Sequence, residues 1–145
     1  MTISSTNRKA GPYAGNGSST VFPFSFKIFS ASDLYVTRTN ALGVATTLTK
    51  DVDFIPTLNA NQDASPGGSI ALTAALAVGY TLDITSDISP TQLLDLTNQG
   101  GFYPQVITKA LDKITILIQQ LITNGITSGS IGGIVTSARN LVGGF

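Results

Sequence analysis

The residues of this chain that could carry chemistry are carboxylates, glycines and aromatics. Asp51 and Asp53 flank Val52 and could share a cation. An oxygen-only site needs about six or more ligands, and no further acidic cluster stands nearby in sequence, so a solvated turn is the better reading. Asp83 and Asp87 could be imagined as the paired carboxyls of a glycosidase. General acid work needs a carboxyl whose pKa is raised inside a cleft, and nothing around them points to one. Gly15-Asn16-Gly17-Ser18-Ser19-Thr20 has the glycines of a phosphate loop without its Lys or a following helix, so it reads as a turn. Asn16-Gly17-Ser18 also matches a glycosylation sequon, but no signal peptide leads it to that machinery. Tyr35, Phe54, Tyr80, Phe102 and Tyr103 could stack on sugar rings. In a small β domain such residues more often fill the core.

Composition narrows the chemistry further. There is no Cys and no His, which removes thiolate sites, disulfides and the commonest acid–base group and metal ligand. Glu is absent too, so all 8 acidic residues are Asp. No catalytic, cofactor-binding or metal-ligating residue is assigned, no cofactor is expected, and the chain is not expected to be an enzyme. Charged residues make up 11% of the 145, far below the usual ~25%. Such a surface suits a protein buried among partners or a β-rich extracellular one. The net charge is zero, so no field recruits nucleic acid or anionic lipid. No run approaches the ~18–20 apolar residues of a membrane span, and no membrane insertion is expected.

The elements that must position these residues are mostly short strands. Residues 1–12 are Ser/Thr/Asn-rich and read as an extended N-terminal arm, with Arg8 and Lys9 as its basic pair. Residues 13–88 read as a β domain. Phe22, Phe24, Phe26 and Ile28 alternate and share one strand face, while Pro23 makes that strand an edge or gives it a bulge. Ser30 to Asp33 is a turn or a single helical turn. Strands follow at 34–39, 44–49, 54–58, 69–73 and 80–86, with turn signals at roughly 8–12-residue spacing. The expected fold is mainly β: a small antiparallel β-sandwich or barrel, followed by one long C-terminal helix that forms a trimeric bundle.

Residues 89–103 read as a connector, pinned by Leu93, Leu94 and Leu96 to the sheet or to a neighbouring chain. Residues 104–124 read as an oligomerisation helix, with Pro104 at its first position and Asn124-Gly125 as its stop. Ile107, Ala110, Leu111, Ile114, Leu117, Ile118 and Leu121 form a heptad stripe wider than a two-stranded seam. The competing reading is one amphipathic helix lying on its own sheet. Ile116 and Ile122 fall off the stripe and favour burial against more than one neighbour. Residues 125–145 form a Gly-rich apolar tail that needs cover. Ile131, Ile134, Val135, Leu141, Val142 and Phe145 are its expected partner-binding anchors, as Arg8 and Lys9 are those of the arm.

An ordered set of short motifs adds to this. It runs from Gly15-Asn16-Gly17-Ser18-Ser19-Thr20 through Phe22-Pro23-Phe24-Ser25-Phe26, Ala31-Ser32-Asp33-Leu34-Tyr35-Val36 and Leu48-Thr49-Lys50-Asp51-Val52-Asp53-Phe54 to Gly67-Gly68-Ser69-Ile70-Ala71-Leu72. It continues with Pro90-Thr91-Gln92, Asp95-Leu96-Thr97-Asn98-Gln99-Gly100 and Ala110-Leu111-Asp112-Lys113 into Gln119-Gln120-Leu121. Across about residues 10–123 the chain resembles the N-terminal virion-anchoring domain of bacteriophage tail fibres and tailspikes. Thr108 stands where that family has an acid, and Gly79-Tyr80 where it has Gly-Asp. The resemblance implies a trimeric β domain docked on the phage tail and a helical bundle leading to the receptor-binding part. The chain stops at Phe145 without a fibre shaft or depolymerase β-helix, so a mount without the tool is expected.

The function expected from residues and resemblance together is a structural virion protein, made in the host cytoplasm. It would anchor or adapt a tail fibre or tailspike to the tail as a homotrimer. Its partners would be phage tail or portal/adaptor proteins and a distal fibre or spike, with no nucleic acid. The alternatives are a carbohydrate-binding host-recognition module, or an anchoring fragment of a longer fibre.

Overall fold

The computed structural model describes residues 3, 5–91, 101 and 103–124. Its strands are β1 (Lys9–Ala14), β2 (Val21–Phe24), β3 (Leu34–Thr39), β4 (Ala45–Thr47), β5 (Phe54–Leu58), β6 (Gly68–Leu72) and β7 (Thr81–Ser86). A short 3-10 turn, Ala31–Asp33, precedes β3, and the helix α1 spans Pro104–Asn124. The strands form two antiparallel sheets, a four-stranded one in the order β1-β7-β3-β4 and a three-stranded one in the order β2-β6-β5. The fold is the mainly β architecture with a C-terminal helix that the strand pattern predicts.

The alternating aromatics build the core. Phe22 and Phe24 point inward from β2, and Phe26 and Ile28 continue the alternation past its end. Val36, Leu82 and Ile84 meet them from the first sheet, and Phe54, Ile70 and Leu72 from their own. Burying a side chain of this kind is worth roughly 1.5–3 kcal/mol, so the two inner faces supply most of the domain's stability. Ser30 caps the 3-10 turn in a reciprocal box with Asp33, which sets the entry into β3.

The N-terminus departs from the sequence reading. Residues 9–12 are not an arm: β1 starts at Lys9 and pairs with β7 through Lys9↔Thr85 and Ala10↔Ile84. A bulge follows, and pairing resumes at Tyr13↔Leu82. Gly11-Pro12 looks like a break in sequence, and the bulge is what absorbs it. Gly11 has φ 103°, and a Cβ there would lie 2.4 Å from the Leu82 carbonyl oxygen. The β domain therefore begins at 9 rather than 13. The connector leucines Leu93, Leu94 and Leu96, and the whole tail from 125, lie outside the described residues.

Candidate functional site

The helix has two dissimilar faces, and they are used in an unusual way. Asp112, Ile116, Gln119 and Gln120 share one side at helical spacing. The stripe from Ile107 to Leu121 lies on roughly the opposite side. It is the first of these sides, mostly polar, that lies on the β domain.

Four polar side chains of the helix and one apolar side chain hold it there. Lys27 follows β2 and points away from the core, between the inward Phe26 and Ile28. Its ammonium lies 2.7 Å from Asp112 Oδ2, with both side chains nearly excluded from solvent, and it also pairs with the half-exposed Asp63. Burial alone would lower the Lys27 pKa, but hydrogen bonds and Coulomb attraction from Asp112 and Asp63 outweigh it and raise the value above 10.5. The same contact with Lys27 holds the Asp63 carboxyl below its ordinary value. Gln120 mimics a strand partner. Its amide oxygen accepts the Ile88 N–H at 2.8 Å and the Ser86 hydroxyl at 3.2 Å, and its amide nitrogen donates to the Ile88 carbonyl at 3.2 Å. Gln119 donates to the Ser5 carbonyl at 3.0 Å, and the Lys113 ammonium donates to the Thr91 carbonyl. Ile116 is wholly buried among these contacts.

The apolar stripe is left facing outward. Leu111 is 58% exposed, Ile114 51%, Ile118 55% and Leu121 52%, and off the stripe Ile122 is 60% exposed. Ile107, Ala110 and Leu117 are half-buried. Beside the stripe runs a groove of about 480 Å³, walled by Ile88 and Pro90 on one side and by Ile114, Leu117, Ile118 and Leu121 on the other. The helix is thus docked on its own domain, but not by its apolar face.

The remaining sequence candidates fall elsewhere. Arg8 does not reach outward: it is buried, donates through Nη1 to the Lys27 carbonyl at 2.8 Å, and lies 5.4 Å over the Phe26 ring. Burial pulls its pKa down to about 10. Arg8 therefore braces the segment that carries Lys27, and its expected role as a partner contact of a free arm does not fit this position. Lys9 is partly exposed and lies 2.9 Å from Asp83. Asp83 and Asp87 do line a common open groove of about 550 Å³ on the outer face of the first sheet, with Tyr35, Thr37 and Thr85. Asp51 pairs with Lys50 and sits at φ 65° in a turn, while Asp53 accepts the Thr49 N–H. Among the described residues no cluster could hold a metal ion. Asn16 accepts the N–H groups of Ser18 and Ser19 and so ties off the turn before β2. Phe54 is core, Tyr80 packs beneath Arg38, and Phe102 lies outside the described residues. The docking pair Lys27–Asp112 and Gln120 escaped the sequence reading as a site. Their signal was present in polar residues at 112, 119 and 120, on the side of the helix away from the stripe.

No family model matches the chain. Over 121 residues it is 39% identical to the tail spike protein of Salmonella phage epsilon15. That stretch covers 83% of this chain and 11% of the spike, so the chain spans only a small part of the curated relative it matches. A mainly β domain that carries an outward apolar helix stripe, and shares this much of its sequence with a spike, is a relative of a phage tail spike protein.

Proposed function

We propose that the chain is a structural mount of a bacteriophage tail, which anchors or adapts a fibre or spike as a trimer. The observation that carries this reading is the helix with its apolar stripe outward while its polar side is docked. An exposed stripe of that size is costly on a free monomer. Neighbouring copies of the same helix are the simplest cover, because their stripes are self-complementary around a symmetry axis. The stripe fills about three positions per heptad, broader than a two-stranded seam, which suits an oligomer above the dimer. The groove walled by Ile88 and Pro90 widens each stripe, so a neighbour's helix would meet the β domain as well as the bundle. The 39% identity with a tail spike protein over 121 residues supports this reading. Light scattering on the purified chain tests the reading: a trimer is expected at micromolar concentration. A monomer there, and a single copy per attachment point in particles, would refute it.

A further inference from the structure

The two sheets have four edges, and prolines sit on three of them. On β2 the outward position is Pro23. The bonds Leu72 N–H to Thr20 and the pairing Phe22↔Ile70 put residues 20, 22 and 24 on the bonded side, so residue 23 faces out. On β5 the bonds from Thr73 to Asp53 and from Asn59 to Gly67 likewise turn Pro56 outward. On β1 the edge is broken by the bulge that contains Pro12, and it starts at the charged Lys9. Each device denies an incoming strand its hydrogen bonds.

The fourth edge, β4, carries none of these devices. The bonds Leu48 N–H to Val36 and Asn40 N–H to Val44 fix the bonded side of this hairpin. By alternation Ala45 and Thr47 turn their N–H and C=O groups outward. All of β4 is exposed. Leu42 and Val44, just before it, are exposed as well, and Val78 is exposed in the adjoining turn, where a Cβ on Gly79 would touch Ala41. Backbone groups with no strand partner among the described residues, beside a small apolar patch, suit an incoming strand, which pairs the one and covers the other.

We propose that β4 is a strand-accepting edge. Its occupant is an extended segment of another protein of the tail, with apolar side chains at alternate positions to cover Leu42 and Val44. A second copy fits less well: two β4 edges would meet across a twofold axis, whereas the stripe on α1, about three positions wide per heptad, is too broad for a two-stranded seam. This inference rests on the tail reading given above.

Hydrogen exchange on the wild-type chain, purified and within phage particles, tests it. The amides of Ala45 and Thr47 are expected to exchange at least tenfold more slowly in particles than in the purified protein. A competition assay adds a second readout. Ala45→Pro removes one outward N–H and spares the β3 ladder, so its incorporation into particles should fall at least tenfold. Ala45→Thr keeps the N–H and should incorporate as wild type. If Ala45→Pro fails to fold, the exchange measurement on wild type still decides. Unprotected amides in particles overturn the inference alone. Protection already present in the purified chain overturns it, in favour of a second copy or of another segment of this chain. A chain absent from particles overturns this inference and the tail reading together, a result distinct from either of the others.

Discussion

At the scale of single residues, the Lys27–Asp112 pair decides whether the helix stays on its domain. Both side chains are almost fully buried, so removing one partner strands a charge in a poor solvent. Lys27→Met is expected to destabilise the docked state by about 3–5 kcal/mol, while Lys27→Met combined with Asp112→Leu should recover most of that loss. Denaturant titration of the single and double variants measures the difference. Lys27 and its second partner, Asp63, set a pH window. Lys27 has its pKa raised on folding, so its contribution is full below 10.5 and is lost as pH rises through the higher folded value. Asp63 has its pKa lowered, so its contribution is full above 3.8 and is lost as pH falls through the lower folded value. Exchange of the Ile88 amide, which Gln120 covers, should therefore stay slow between these limits and accelerate beyond both.

At the scale of the helix, the two faces separate docking from assembly. Ile116 is the one buried apolar side chain of the docked side, and Ile116→Ala is expected to weaken docking by about 2–5 kcal/mol. The stripe is untouched, so light scattering should still report a trimer. Ile114→Asp acts on the other face. A charge there costs nothing in the monomer but must be desolvated in a bundle, so that variant should be a folded monomer or an aggregate. Helix stability should follow assembly too. No acid stands in the first turn of α1 and no base in the last, so packing rather than its own dipole or propensity must hold it.

At the scale of the whole molecule, the apolar tail is expected to hold a second component of the particle. Deleting residues 126–145 removes Ile131, Ile134, Val135, Leu141, Val142 and Phe145 together. The truncated chain should remain trimeric and bound to the tail, but particles carrying it should lose a distal fibre or spike, as counted by electron microscopy. Particles that keep every appendage would show that the tail is no connector. The outer groove that holds Asp83 and Asp87, with Asp83 ion-paired to Lys9, offers a different test. The pure protein should not hydrolyse host polysaccharide. Activity abolished by Asp83→Asn or Asp87→Asn would reverse that expectation.

The amino-acid sequence by itself determined the inner faces of the sheets and the span of the helix. Alternation of Phe22, Phe24, Phe26 and Ile28 has one solution in a strand, and Pro104 with Asn124-Gly125 brackets one helix, because these are local rules. It also displayed the stripe, since a heptad needs no partner to be counted. Only the tertiary structure decided which way the stripe faces. A helix with one polar and one apolar side ordinarily turns the apolar side inward, and here a buried ion pair and a bidentate glutamine reverse it. Partners 85 residues apart, Lys27 and Asp112, leave no mark in a local pattern. The first strand was hidden for a related reason. Gly11-Pro12 breaks a strand unless a neighbour accepts a bulge, and that neighbour, β7, lies far along the chain. The open edge of β4 was equally invisible, because an edge exists only once the other strands have taken their places.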